Sequence, residues 1–93
     1  MTSITTFAKV AELGERECDL LVKLAERVEA AETKHPEFAD GIYQGIGRIG
    51  EEYGELCQAL NKNQGEARVM DEALDLLCVV WRFCQGDWRQ EKC

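Results

Sequence analysis

The chain has 93 residues, of which 45% are hydrophobic, and a formal net charge of −7 from 18 acidic and 11 basic residues. That length predicts one small domain, residues 1–93, with a modest core, so the generous apolar content favours oligomerisation as a way to cover excess apolar surface. The acidic balance argues against a nucleic-acid-binding or anionic-membrane-binding surface, where Lys and Arg should dominate.

The cysteines and the hydropathy pattern indicate a soluble cytoplasmic protein. The five cysteines are odd in number and form no CxxC pair, so neither a disulfide framework nor a thiolate zinc site is expected. No basic region followed by an apolar run marks a signal peptide at the N-terminus. The longest apolar stretch, Leu76 to Trp81, is too short to cross a bilayer.

The first predicted helix covers about residues 3–33. Apolar or small residues recur there at alternating spacings of three and four, which is typical of a coiled-coil-like seam. The seam consists of Ile4, Phe7, Ala11, Gly14, Cys18, Leu21, Ala25 and Val28. Gly14 is the weak point of this helix and could mark a kink or a break. Pro36 ends the segment, because the residue before a proline disfavours the α region.

The second predicted helix covers about residues 40–61. Its apolar residues recur at spacings of three and four and define one face. They are Ile42, Ile46, Ile49, Tyr53, Leu56 and Leu60. Five glycines in this segment each cost about 1 kcal/mol of helix propensity relative to alanine. A helix that tolerates this cost usually gains close approach of its backbone to a neighbouring helix or a ligand.

The third predicted helix covers about residues 66–84 and is the most apolar. From Ala73 to Cys84 only Asp75 and Arg82 interrupt the apolar residues. Such a helix is expected to be enclosed on most sides, as at the centre of a bundle or dimer. Residues 87–92 could add one last turn. The sequence therefore predicts an all-α bundle of three main helices plus a short C-terminal turn.

Two acidic pairs with three-residue spacing are the main candidates for chemistry: Glu52 with Glu55, and Glu72 with Asp75. Residues three apart lie about 60° apart around a helix axis, so each pair can aim at one point. The polar turn at residues 61–65 makes the two helices antiparallel neighbours whose pairs can face each other. Four such oxygen ligands suit a hard cation, Mg²⁺ or Mn²⁺, although acidic pairs in an acidic chain often mark a solvated face.

The residues around the pairs form two longer motifs, EEYGEL at residues 51–56 and DEALDLL at residues 71–77. They resemble the EExGEL and EExxDLL motifs of the MazG-like all-α nucleoside triphosphate pyrophosphohydrolases. Sixteen residues separate Glu55 from Glu72, which is similar to the family's spacing. The resemblance covers roughly residues 42–85.

The resemblance implies a MazG-like helical bundle completed by oligomerisation, as a dimer or as a dimer of dimers (a tetramer), with active sites near the subunit interface. It also implies Mg²⁺-dependent cleavage of the α–β phosphoanhydride of nucleoside triphosphates to a monophosphate and pyrophosphate. Many members remove unwanted nucleotides, the house-cleaning role. The implied metal ligands are Glu52, Glu55, Glu72 and Asp75.

This chemistry needs no protein nucleophile, because a metal-activated water can attack phosphorus. The composition agrees, since one serine (Ser3) and one histidine (His35) are too few for a Ser-His-Asp triad. Glu51 could orient or deprotonate the water, and a supporting or structural role for it is equally open. The candidate catalytic residues are therefore Glu51, Glu52 and Glu55.

Three basic residues are candidates for contacting the phosphates. Arg82 lies seven residues after Asp75 in an apolar helix, where an arginine needs an anionic partner, so either phosphate or a buried ion pair is expected. Arg48 precedes Glu52 by four residues and could reach phosphate or pair with that carboxylate. Lys62, in the polar turn, could contact phosphate or be a solvated lysine.

Two alternatives to a general nucleotide pyrophosphohydrolase remain open at this point. One is a narrower substrate within the same class, such as dUTP or phosphoribosyl-ATP. The other is a non-catalytic helical interaction module that uses the heptad seam to bind a partner.

Overall fold

The computed structural model describes Lys9, Glu12 and residues 14–89, and these residues form three α-helices and no strand. The helices are α1 (Glu15–Lys34), α2 (Ile42–Asn61) and α3 (Glu66–Cys84). The predicted all-α class is confirmed, and the predicted limits of the second and third helices agree with α2 and α3 to within two residues. Residues 85–88 form a turn after α3.

Gly14 marks the start of α1 rather than its middle. The backbone at Gly14 is extended, with φ −77° and ψ 177°, and the helix begins at Glu15. The long helix predicted over residues 3–33 is therefore interrupted at Gly14, the position where the sequence allowed a kink or a break. Residues 3–13 lie outside the described part of the chain except for Lys9 and Glu12. The predicted seam is also largely exposed: of its described members only Val28 is buried.

The helix α3 joins the bundle, because both α1 and α2 pack against it. Leu24 and Val28 of α1 form a buried cluster with Cys78 of α3, and Leu74 packs at its edge. Within the described helices, α1 and α2 make no direct packing contact with each other. Side chains on α3 therefore decide how the two outer helices are placed.

Of the four glycines in α2, Gly45 lies closest to the side chains of α3. A Cβ atom added at Gly45 would lie 2.9 Å from Cδ2 of Phe83 on α3. The expectation that a helical glycine allows close packing is confirmed there. A Cβ at Gly47, Gly50 or Gly54 would meet nothing within 4 Å, so these glycines have no packing role within the described chain.

Replacing Gly45 by alanine should destabilise the fold, whereas the same change at Gly47 should stabilise it. Crowding the Phe83 ring costs about 1–3 kcal/mol, and better helix propensity returns only about 1 kcal/mol. Gly47→Ala gains the propensity alone, about 0.5–1 kcal/mol. Urea unfolding of both variants would measure this difference, and a Gly45→Ala variant as stable as Gly47→Ala would contradict the observed packing.

Much of the apolar surface stays uncovered in the single chain. On α2, Ile46, Tyr53 and Leu60 are 52%, 59% and 66% exposed. On α3, Trp81 is 44% exposed, so the enclosure predicted for this helix is not supplied by the described chain itself. None of the three helices combines the length and the apolar character that a bilayer crossing requires.

Candidate metal centre

Three acidic side chains meet where α2 packs on α3. Glu52 and Glu55 of α2 and Glu72 of α3 each offer one carboxylate oxygen, and these three oxygens lie within 4.8 Å of one another. We call these residues the carboxylate group. The three-residue spacing of Glu52 and Glu55 turns both toward α3, as the sequence pattern predicts. Three of the four predicted metal ligands are thus brought together.

Glu72 is the most buried member of the carboxylate group, with its side chain 5% exposed. Its Oε1 forms an ion pair with Nη2 of Arg68 at 2.5 Å, one turn earlier on α3. Its Oε2 is buried and has no hydrogen-bond partner, and the same holds for Oε2 of Glu52. Buried carboxylate oxygens are costly unless they are paired, and a cation between them would satisfy both.

Burial and neighbouring negative charges disfavour the ionised form of Glu52. Burial raises its pKa from 4.5 to about 7, with further increases from the charges of Glu55, Asp75 and Glu72 and an opposing effect of Arg48. The protonated form of the Glu52 carboxyl is therefore favoured more than in an exposed glutamate. A divalent cation would favour the ionised form, so its binding is expected to release a proton.

Asp75, the fourth predicted ligand, does not join the carboxylate group. Its Oδ1 accepts a hydrogen bond from Nη1 of Arg27 on α1 at 2.7 Å. Nη2 of Arg27 donates to Oδ1 of Asp71 at 2.8 Å, and Nη1 also donates to the Asp71 carbonyl oxygen at 3.1 Å. The guanidinium therefore holds Asp75 toward α1, although the charge of Asp75 still contributes to the raised pKa of Glu52.

A cleft of about 770 Å³ lies along α2, where its lining residues precede the carboxylate group on that helix. Arg48 and Glu51 line the cleft, and its other walls come from the α1–α2 connection and the residues after α3. Arg48, Glu51 and Glu55 recur at spacings of three and four, so the cleft and the carboxylate group share one side of α2. The guanidinium of Arg48 lies 5.8 Å from the centre of the Phe38 ring.

The structure gives Arg82 partners within its own chain. Its side chain is 5% exposed, and its Nε donates to Oδ2 of Asp87 at 3.1 Å. Its Nη1 donates to the carbonyl oxygen of His35 at 2.9 Å, and its Nη2 to that of Pro36 at 3.4 Å. Arg82 therefore holds the connection between α1 and α2, and its ion pair with Asp87 matches the buried ion-pair alternative.

Lys62 is exposed and caps the C-terminal end of α2. It lies seven residues after Glu55, which is about 10 Å along the helix axis. That distance keeps it near the carboxylate group without placing it inside the group. The described structure gives Lys62 no ion-pair partner within 4.0 Å.

Sequence reasoning missed the two arginines that contact the acidic residues, Arg27 and Arg68. Arg68 precedes Glu72 by four residues, a spacing at which helical ion pairs form, so the pattern could have found it. Arg27 lies 48 residues before Asp75 and carries no such local pattern. Only the docking of α1 on α3 brings it to the site.

The donor set fits a hard divalent cation. All three members of the carboxylate group offer oxygen, the ligand that Mg²⁺ and Mn²⁺ prefer, and two of the buried oxygens lack partners. The exposed side of Glu55 leaves room for water or substrate oxygens to complete the coordination. None of the established protein families, curated proteins or solved structures matches this chain, so the arrangement of these side chains carries the functional argument.

Proposed function

We propose that this chain is a Mg²⁺-dependent nucleoside triphosphate pyrophosphohydrolase that hydrolyses (deoxy)nucleoside triphosphates to a monophosphate and pyrophosphate. One observation supports the proposal above the others: the carboxylate group lies within 4.8 Å and contains buried, unpartnered oxygens from both α2 and α3. The motif resemblance over residues 42–85 points to the same chemistry. The activity would serve nucleotide house-cleaning in the cytoplasm.

Glu52, Glu55 and Glu72 would hold Mg²⁺, with Mn²⁺ as a possible substitute. The bound cation supplies charge neutralisation for the triphosphate, polarisation of its phosphoryl oxygens and a lower pKa for a coordinated water. Glu52 must be ionised to bind, and its pKa of about 7 makes binding weaker as the pH falls below neutrality. An acidic chain could in this way still accept a polyanionic substrate.

Arg48 and Glu51 are the residues we assign to substrate and water. Both line the cleft along α2. The volume of this cleft, about 770 Å³, is in the range of pockets that bind a nucleotide-sized ligand. Glu51 would accept the proton of the attacking water as the new bond to phosphorus forms and the bond to the bridging oxygen breaks. Arg48 would contact the phosphates on the same side of α2, and Lys62 could add a contact from the end of the helix.

We further propose that a second copy of the chain covers the exposed apolar residues of α2. Ile46, Tyr53 and Leu60 lie on one side of that helix and are each more than half exposed. The charged residues of α2 lie elsewhere around the helix, so this side can pack on an identical partner without burying a charge. The resemblance implies the same assembly, a dimer or a dimer of dimers.

Ile46→Glu should convert the oligomer into a monomer. The change places a charge in the middle of the proposed interface and leaves the core, which does not contain Ile46, intact. Light scattering coupled to size exclusion would measure the mass. Glu26→Gln, on an exposed position of α1, is the matched control and should keep the wild-type mass. A wild-type monomer at micromolar concentration would contradict the proposal.

The second candidate function is a non-catalytic interaction module. It is favoured by a largely apolar groove of about 870 Å³ between α1 and α3, lined by Leu20, Met70 and Leu77 among others. Such a groove can accept the apolar face of a helix from another protein. This alternative does not explain why carboxylate oxygens are buried without partners, so we place it second.

Pyrophosphate release from a panel of nucleoside and deoxynucleoside triphosphates tests the proposed function. The panel should include dUTP, with phosphoribosyl-ATP assayed beside it, and should be run with Mg²⁺ and with EDTA. Metal-dependent formation of monophosphate and pyrophosphate would support the proposal and rank the substrates. No turnover by folded protein with Mg²⁺ present would move the assignment to the interaction module.

A further inference from the structure

Arg27 is the one basic side chain in the described chain that links α1 to the acidic residues of α3. It forms hydrogen bonds to Asp75 at 2.7 Å and to Asp71 at 2.8 Å, and a third to the Asp71 carbonyl oxygen. All three side chains are partly exposed, at 29% for Arg27, 39% for Asp75 and 45% for Asp71. Ion pairs with this exposure are weak enough for a divalent cation to displace.

Asp75 lies close enough to the carboxylate group for its charge to act there. It follows Glu72 by three residues on α3, the spacing at which two side chains share one side of a helix. Its negative charge is also one of the causes of the raised pKa of Glu52. A cation held by the carboxylate group would attract Asp75, while Arg27 attracts it toward α1.

We infer that Arg27 is a positioning residue that competes with the divalent cation for Asp75. Arg27 holds Asp75 outside the carboxylate group in the structure, and a bound cation would draw Asp75 in as an additional acidic ligand. The two bonds from Arg27 to Asp71 keep α1 attached to α3 during this exchange. The inference rests on the proposed metal centre, because the carboxylate group must bind the cation first.

A double-mutant cycle on cation affinity tests the competition directly. The dissociation constants of Mg²⁺ and Mn²⁺ alone would be measured by calorimetry for wild type, Arg27→Gln, Asp75→Asn and the double variant. Competition predicts that Arg27→Gln binds the cation roughly fivefold more tightly, the scale of one partly exposed ion pair. In the Asp75→Asn background, Arg27→Gln should change the affinity by less than about twofold, because the competing group is gone.

A matched control separates competition from a general effect of charge. Lys23 lies on α1 one turn before Arg27, and both line the groove between α1 and α3. Lys23→Gln removes the same charge and should change the cation affinity by less than about twofold. If Arg27→Gln does not fold by circular dichroism, Arg27→Lys takes its place in the cycle. A lysine cannot bridge both aspartates with the geometry of a guanidinium, so a smaller tightening of the same kind is expected.

Each outcome decides between the inference and the function on which it rests. Equal tightening by Arg27→Gln in both backgrounds, or no tightening at all, would overturn the role of Arg27 and leave the metal centre standing. No cation binding by wild type would overturn the metal centre and the inference together. Tightening that depends on Asp75 supports the inference even if the nucleotide panel shows no turnover, since cation affinity is measured without substrate.

Discussion

Glu72→Gln is expected to lower pyrophosphohydrolase turnover by roughly a thousandfold or more while the protein stays folded. The amide keeps the size of the side chain but removes the charge that the buried Oε2 offers to a cation. Loss of metal-derived stabilisation of the transition state amounts to several kcal/mol, and each tenfold in rate corresponds to about 1.4 kcal/mol. Rates of pyrophosphate release with saturating Mg²⁺ would measure the loss.

The fold of this variant should survive because Glu72 contributes little net stability. Its ion pair with Arg68 involves an arginine that is 55% exposed, and such pairs contribute little. Removing one negative charge also relieves repulsion from Glu52 and Glu55. Glu55→Gln should show the same loss of turnover, since it removes another member of the carboxylate group.

Glu66→Gln is the matched control for these changes. It makes the same substitution on α3, at an exposed position in the first turn outside the carboxylate group, and should keep turnover near the wild-type rate. Circular dichroism would establish that every variant is folded. If Glu72→Gln retained turnover within tenfold of wild type, the reaction would not depend on the carboxylate group, and the proposed metal centre would be rejected.

Local patterns determine most of the fold in this chain. The apolar spacing and the polar turn at residues 61–65 predict the limits of α2 and α3, because both act over a few residues. The seam predicted for α1 is largely exposed in the described chain, and the reason is tertiary. Among the described helices α1 packs on α3, where Leu24 and Val28 are buried, so Cys18 and Leu21 are exposed although their spacing suits a coiled coil.

In the candidate site, too, sequence spacing predicts some contacts and helix docking decides the others. Three-residue spacing is a local property, and it places Glu52 and Glu55 on one side of α2, whereas the packing of α2 on α3 brings Glu72 to them. The contact between Arg27 and Asp75 depends on how α1 docks on α3. The spacing of Glu72 and Asp75 along the sequence therefore could not reveal it. A sequence pattern therefore identifies which oxygens can meet, whereas the partners of each oxygen depend on how the helices dock.

Arg82 shows the same limit, since its apolar surroundings predicted an anionic partner without identifying it. The structure leads to the expectation that Arg82→Ala will lower the free energy of unfolding by about 3 kcal/mol or more. The change leaves Asp87 without its ion pair and removes the donors to the carbonyl oxygens of His35 and Pro36. In a domain of this size that is a large fraction of the total stability.

Urea unfolding monitored by circular dichroism would measure the effect, with Arg48→Ala as the control. Arg48 is less buried than Arg82 and contacts the Phe38 ring from the cleft, so its loss should cost no more than about 1 kcal/mol. The two variants should also differ in kinetics, because only Arg48 is assigned to the phosphates. A contrary result would be an Arg82→Ala variant that unfolds at the wild-type urea midpoint but has a raised KM for the triphosphate. Arg82 would then be a phosphate ligand, and its bonds to the α1–α2 connection would not be the reason for its burial.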